Sequence, residues 1–102
     1  MEIILCCAAG MSTSLLVSRM EEAAKQQRIK VKIKAVSADL INEYFNDADV
    51  ILLGPQVRYL LTEMKKKGDE KGVPVNVIDS VDYGRVNGEN VLRFALGLIE
   101  NK

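Results

Sequence analysis

Two cysteines, Cys6 and Cys7, stand side by side where an apolar run, "IILCC", gives way to "AAGMSTS". A thiol becomes a nucleophile when positive potential stabilises its thiolate, and the free amides at the start of a helix supply such potential. The residues after Cys7 are suited to make that start. Gly10 permits a sharp turn, and Ser12 is an N-cap residue type for a helix running to about Gln27. Unpaired N–H groups there would converge on whatever the sulfur carries. Residues 3 to 18 hold no acidic side chain, so a dianionic phosphoryl group would meet no repulsion within the segment. The hydroxyls of Ser12, Thr13 and Ser14 would add donors where the equatorial phosphate oxygens could lie. The chemistry expected is covalent capture of a phosphoryl group by Cys7, cradled by Ala8, Ala9, Gly10, Met11, Ser12, Thr13 and Ser14. Cys6 is read as a small apolar filler.

Plainer readings stand beside this one. A single cysteine at a strand end is more often packing than chemistry, and only its surroundings lift Cys7 above that. Gly10 could serve the turn alone, Ser12 the cap alone, and Met11 could pack inward or face a partner. Two adjacent cysteines on a strand point to opposite faces, which argues against an ordinary disulfide. Without histidine anywhere, and without zinc-ligand spacing, neither metal nor cofactor is expected.

The elements that must position this segment can be read from periodicity. "EIILCC" (2–7) and "DVILL" (49–53) are apolar runs of the kind buried on both faces of a sheet. "VKIKAV" (31–36) alternates apolar residues with Lys32 and Lys34, and "VPVNVI" (73–78) has Pro74 near its start, both marks of edge strands. Leu16, Met20, Ala23 and Ala24 share one face of the first helix. A short helix is expected over Leu40 to Phe45. The next opens at Pro55, repeats Val57, Leu60, Leu61 and Met64, and is expected to stop at "KKKG", with Lys65 to Lys67 at its negative end and Gly68 as cap. A last helix, Glu89 to Glu100, presents Val91, Leu92, Ala95, Leu98 and Ile99.

Alternating strands and helices predict a single α/β domain, residues 1–102, with a four-stranded parallel sheet and helices on both faces. Right-handed crossovers and the two edges give the strand order 2-1-3-4. The winding reverses between strands one and three, so ligands should bind beyond their carboxyl ends. There lie "CAAGMSTS", "GPQ" (54–56) and, from strand four, "IDSVDYG" (78–84). Gln56, Asp79 and Tyr83 are candidate lining residues. Asp79 and Asp82 could protonate a leaving group, but turn and cap roles are favoured for both. Tyr83 and Arg85 could touch a partner or the phosphate.

Charge excludes other classes. Fourteen basic residues balance fourteen acidic ones and aromatic residues are few, so neither nucleic acid nor an anionic membrane is an expected partner. The longest apolar run, Ile3 to Ala9, is far short of the ~20 residues that span a bilayer, so no membrane insertion is expected. Glu2 stands where a signal peptide would carry a basic residue, and a cytoplasmic location is expected.

The Cys7 loop also resembles the cysteine-x5-arginine-serine cradle of small tyrosine phosphatases, a phosphatase-like phosphate loop after strand one. Thr13 stands where that arginine would, which argues against hydrolysis as the main activity. "CAAGMSTS" (7–14), "ADVILLGPQ" (48–56) and "VIDSVDYGRVNG" (77–88) together resemble the lactose/cellobiose-type IIB subunits of the bacterial phosphoenolpyruvate-dependent sugar phosphotransferase system. The resemblance covers nearly the whole chain. It implies that Cys7 accepts phosphate from a phosphohistidine on a IIA protein and passes it to a sugar held by the membrane IIC permease. A monomer is expected of such a carrier. The second cysteine, Cys6, departs from the family's single-thiol motif. The competing expectations are a small cysteine-dependent phosphatase, an anion-binding module, or a thiol redox protein, the last disfavoured because no C-x-x-C pair is present.

Overall fold

The computed structural model describes residues 1–8 and 13–101. Strands β1 (Glu2–Cys7), β2 (Lys32–Ser37), β3 (Val50–Leu53) and β4 (Val75–Val77) form one sheet in the order β2-β1-β3-β4. All three pairings are parallel, as the alternation of elements predicts. Helices α1 (Ser14–Gln26), α2 (Leu61–Lys71), α3 (Ser80–Gly84) and α4 (Gly88–Glu100) connect and cover the strands, with 3-10 segments at Ile41–Tyr44 and Pro55–Leu60.

The apolar run of β1 is explained by two cores, one on each face of the sheet. Ile3 and Leu5 pack with Leu16, Met20, Ala23 and Ala24 of α1 and with Val91, Leu92 and Ala95 of α4. Ile4 and Cys6 point the other way, among Ile41, Phe45, Val57 and Met64. A strand covered on both faces cannot alternate polar with apolar residues, so a continuous run is what a central position demands. Removing each large side chain from water contributes roughly 1.5–3 kcal/mol. On edge strand β2 the expected alternation holds only in part: Ile33 is buried in the α1-side core and Lys32 and Lys34 stay in solvent, but Ala35 is exposed and the other buried residue, Val36, faces the opposite core.

Where the sequence reading and the structure differ, the causes are local. The helix expected to run from Pro55 to a Gly68 cap is two pieces. Pro55–Leu60 is 3-10, with Val57 outside helical angles (φ −116°, ψ 22°), and α2 continues past Gly68 to a left-handed cap at Gly72 (φ 71°). Gly68 serves close packing instead. A Cβ there would lie 2.3 Å from the Val73 carbonyl oxygen and 2.8 Å from Val75 Cγ2. Lys65 to Lys67 are therefore mid-helix, and Lys67 Nζ donates to Asn42 Oδ1 at 2.7 Å. Lys71 is the basic residue of the last turn.

Residues 79–84, expected as a turn, include a five-residue helix, α3. Asp79 Oδ2 accepts from the amides of Val81 and Asp82, both at 3.1 Å, and so holds the helix start. The segment expected as a helix from Leu40 is the 3-10 turn Ile41–Tyr44. Helix α1 begins at Ser14 with Thr13 in the cap position, two residues later than the cap expected at Ser12, which lies outside the described residues.

Candidate active site

Cys7 is the last residue of β1, and its carbonyl accepts the amide of Ala38 at 2.9 Å, which fixes the strand end against the turn leaving β2. Register places Cys6 between Val36 of β2 and Leu53 of β3. Strand geometry then sends the two thiols to opposite faces. Cys6 falls within the α2-side core, where burial first, and the neighbouring Cys7 second, push its thiol up to about 11. At neutral pH Cys6 is a neutral, apolar filler.

The Cys7 sulfur has different surroundings. Its S–H donates to the Val36 carbonyl at 3.7 Å, and the Thr13 hydroxyl donates to the sulfur at 3.9 Å. Thr13 is the buried polar side chain among the described residues, and a buried hydroxyl needs a partner. Here the partner is the thiol, not the helix, because Thr13 makes no side-chain cap bond to α1. In a helix whose cap residue is Thr13, the amides of Ser14, Leu15 and Leu16 have no acceptor within the helix. The first turn carries no acidic residue either. Among the described residues, no capping side chain or first-turn carboxylate compensates the positive end of α1, one hydroxyl away from the sulfur.

Beyond β3, the Gly54 amide donates to the Cys6 carbonyl at 2.8 Å, drawing the turn after β3 against the end of β1. Two side chains close over that glycine. A Cβ on Gly54 would stand 2.8 Å from Gln56 Oε1, the mobile end of an exposed side chain, and 3.6 Å from Tyr83 Cε1, so both side chains come close to this turn. Gln56 and Tyr83 therefore both flank Gly54, beside the carboxyl end of β1. Asp79 is turned to the amides of its own helix, and Asp82 Oδ1 accepts from Asn90 Nδ2 at 3.1 Å. Arg85 follows α3 as its exposed C-cap. Ala8 is half-buried and Ser14, at the head of α1, is exposed. Ala9, Gly10, Met11 and Ser12 lie outside the described residues.

The sequence does not disclose the Val36 contact. It is a backbone carbonyl on another strand, and only the β1–β2 register brings it to Cys7. Thr13 is visible in sequence as a phosphate-loop hydroxyl, but not as the group that touches the sulfur. Among the described residues, no group of His, Cys, Asp and Glu is arranged to hold a metal ion. A cleft of ≈ 640 Å³ at the other end of the sheet, lined by Met1, Ala24, Ile29 and Val31, contains neither cysteine.

A parallel sheet in the order β2-β1-β3-β4, covered by helices and with a cysteine closing its central strand beside a helix start, defines the class of doubly wound α/β proteins. Within that class, the family described as "PTS system, Lactose/Cellobiose specific IIB subunit" matches residues 2–94, and the chain belongs to it. It is 40% identical to the oligo-beta-mannoside-specific EIIB component of Bacillus subtilis over 101 residues, covering 99% of this chain and 98% of that one. It is 46% identical to the galactose-specific EIIB component of Lactococcus lactis subsp. cremoris, covering 95% and 94%. Among solved structures it is similar to the cellobiose-specific IIB component of Borrelia burgdorferi, with TM-score 0.83 and 41% identity over 100% of this chain and 94% of that one. It also matches, at 26% identity, 16% of the length of a lactose-specific EIICB component of Lactococcus lactis, over 90% of this chain. The chain is thus a sugar-specific IIB component of the phosphotransferase system, lactose/cellobiose type.

Proposed function

We propose that the protein is a phosphoryl carrier in which Cys7 accepts phosphate from a phosphohistidine on a IIA protein and delivers it to a sugar bound by a membrane IIC permease. In the first step the Cys7 thiolate attacks phosphorus, the S–P bond forms, the P–N bond breaks, and the imidazole leaves with its electron pair and takes up a proton. In the second, a sugar hydroxyl attacks phosphorus, gives up its proton, and the thiolate is released. Acid–base balance closes over the two steps, and the sulfur returns to its starting state.

The observation that carries this reading is the placement of the Cys7 sulfur between the Thr13 hydroxyl and the Val36 carbonyl, at the carboxyl end of the central strand, beside an uncapped helix start. The amides of that start and the hydroxyls of Thr13 and Ser14 supply neutral donors to the phosphoryl oxygens, with Gln56 and Tyr83 at the side of the site. Neutral donors suit a carrier. A guanidinium in the position of Thr13 would grip the group bidentately and steady attack by water, the needs of a phosphatase. The longer relative named EIICB supports a IIC partner on the acceptor side. The carrier would act as a monomer at the cytoplasmic face; no helix among the described residues is long and apolar enough to cross a membrane.

The test is a reconstituted relay with phosphorylated IIA protein, IIC-containing vesicles and a panel of β-linked disaccharides. Wild type and Cys6→Ser should form sugar phosphate at similar rates, and Cys7→Ser should form none. Normal relay by Cys7→Ser would refute the assignment.

A further inference from the structure

The balance of fourteen basic against fourteen acidic residues conceals a strong asymmetry along the chain. Residues 23–38 hold Lys25, Arg28, Lys30, Lys32 and Lys34 and no acidic residue. Outside that segment nine basic residues stand against fourteen acidic ones, so a stretch of +5 is set against a remainder of −5. The fold gathers the five cations instead of dispersing them. Lys25 is in the last turn of α1, Arg28 and Lys30 lie on the connection to β2, and Lys32 and Lys34 share one face of β2. All five are exposed. Of the five, Lys34 alone has an acidic partner among the described residues, Glu2 Oε1 at 3.9 Å. Lys25, Lys30 and Lys32 also rim the cleft of ≈ 640 Å³ at the amino end of the sheet, around Ala24, Ile29 and Val31, with Glu2 and Glu21 as its acidic lining residues. Two lysines would suffice to guard an edge strand, but Lys25, Arg28 and Lys30 lie off the strand and have no pairing to prevent.

We propose that this patch seats the protein on an anionic phospholipid surface, with the edge of β2 against the headgroups. The inference rests on the reading of the protein as a carrier that delivers phosphate to a membrane permease, and adds how it is held beside that permease. Cations around an apolar cleft match a bilayer interface, where anionic headgroups overlie acyl chains. Nucleic acid is matched less well, because residues 23–38 contain no aromatic ring on which bases could stack. Topology makes the orientation productive. Strand β1 is next to β2, so Cys7 is one strand spacing, ~4.8 Å, in from the edge that meets the headgroups. A sheet resting on that edge runs its strands along the membrane plane, and Cys7, closing β1, faces sideways toward a neighbouring permease instead of down into lipid. Each cation near an anionic surface raises partitioning roughly fivefold, so a local cluster can bind although the whole chain has no net charge. The molecule measures 33 × 28 × 20 Å, and a screening length of about 8 Å at physiological salt hides acidic residues on its far side from the lipid.

The experiment measures partitioning of the purified protein onto large unilamellar vesicles by flotation, with phosphatidylglycerol mixed into phosphatidylcholine or with phosphatidylcholine alone. Lys25→Gln, Lys30→Gln and Lys32→Gln are combined in one patch variant. Lys65→Gln, Lys66→Gln and Arg93→Gln, at exposed positions of α2 and α4, form a control that loses the same charge elsewhere. Wild type and control should bind the phosphatidylglycerol vesicles within about threefold of each other, and the patch variant about tenfold more weakly or worse. Neutral vesicles should retain none of the three, and raised salt should release the wild type. Loading of Cys7 by a phosphorylated IIA protein in solution should be the same for wild type and patch variant, showing an intact fold. Equal vesicle binding by patch variant and wild type overturns the proposal, as does equal binding of wild type to neutral and anionic vesicles. A loss in the control as large as in the patch variant reduces the effect to net charge and overturns it too. Markedly weaker loading of the patch variant makes the IIA protein the occupant, and tighter binding of wild type to a DNA duplex than to vesicles makes it nucleic acid; either result overturns the choice of lipid. Failure of wild-type Cys7 to load overturns the carrier reading itself, and is distinguishable because vesicle binding needs no phosphate.

Discussion

The Thr13 hydroxyl stands 3.9 Å from the Cys7 sulfur, bridging the head of α1 and the end of β1. Both residues are 7% exposed, so this contact is shielded from competing water. The hydroxyl that donates to the sulfur can turn toward a phosphoryl oxygen when the sulfur is esterified. Thr13→Val removes the hydroxyl and keeps the branched shape. Its single-turnover loading rate should fall about tenfold, the equivalent of one hydrogen bond of about 1.4 kcal/mol. Thr13→Ser should restore most of the rate. Equal rates for all three proteins would remove Thr13 from the mechanism.

Thr13→Arg converts the neutral cradle toward a phosphatase-like one. Spontaneous hydrolysis of the phosphorylated protein should accelerate on the order of a hundredfold, as one strong added donor to the transition state can do. Phosphate release is the measurement. An unchanged lifetime, or an undiminished transfer to the sugar acceptor, contradicts the idea that lack of the arginine is what lets the carrier hand its cargo on.

Asp79 is tied to the amides of Val81 and Asp82. Asp79→Ala should destabilise the fold by about 1 kcal/mol through loss of the cap. Asp79→Asn keeps an acceptor oxygen and should melt close to wild type. Transfer by Asp79→Asn should also stay within twofold. A large loss of transfer with a normal melting point would instead make the carboxyl group a proton donor in the reaction.

Cys6 offers a pH test of the two-faced placement of the thiols. Its folded value, about 11, is above the ordinary 9.0, so the unfolded chain loses the proton first as pH rises. Between those values the unfolded state binds fewer protons than the native state, and stability falls with rising pH, by roughly 2–3 kcal/mol across the window. Below pH 9 the contribution is intact. Urea unfolding of wild type and Cys6→Ala from pH 8 to 11 should show the extra decline in wild type alone, since other alkaline groups are common to both. Parallel curves would place Cys6 in a more polar setting than the structure gives it.

Much of this architecture was legible in the residues, for physical reasons that also mark where legibility ends. The run Ile3 to Cys7 could only be central, and Lys32, Lys34 and Pro74 could only be at edges, so the strand order followed. Pro55 and Gly68 each admit two roles, a helix start or a 3-10 turn, a cap or a close approach, and local sequence cannot choose between them. Helix α3 is too short to show a period and depends on one carboxylate for its start. At the site, the spacing from Cys7 to Thr13 was visible, whereas the sulfur contacts with Val36 and Thr13 depend on strand register and on where α1 begins. Those are products of packing across the sheet, not of any single segment.

The central claim is a covalent bond to one sulfur, and intact-mass measurement after incubation with phosphorylated IIA protein reads it most directly. Wild type and Cys6→Ser should each gain the mass of one phosphoryl group, which peptide mapping places on Cys7, and Cys7→Ser should gain none. A phosphoryl adduct on Cys7→Ser, or one mapped to any other residue of the wild-type chain, would contradict the account.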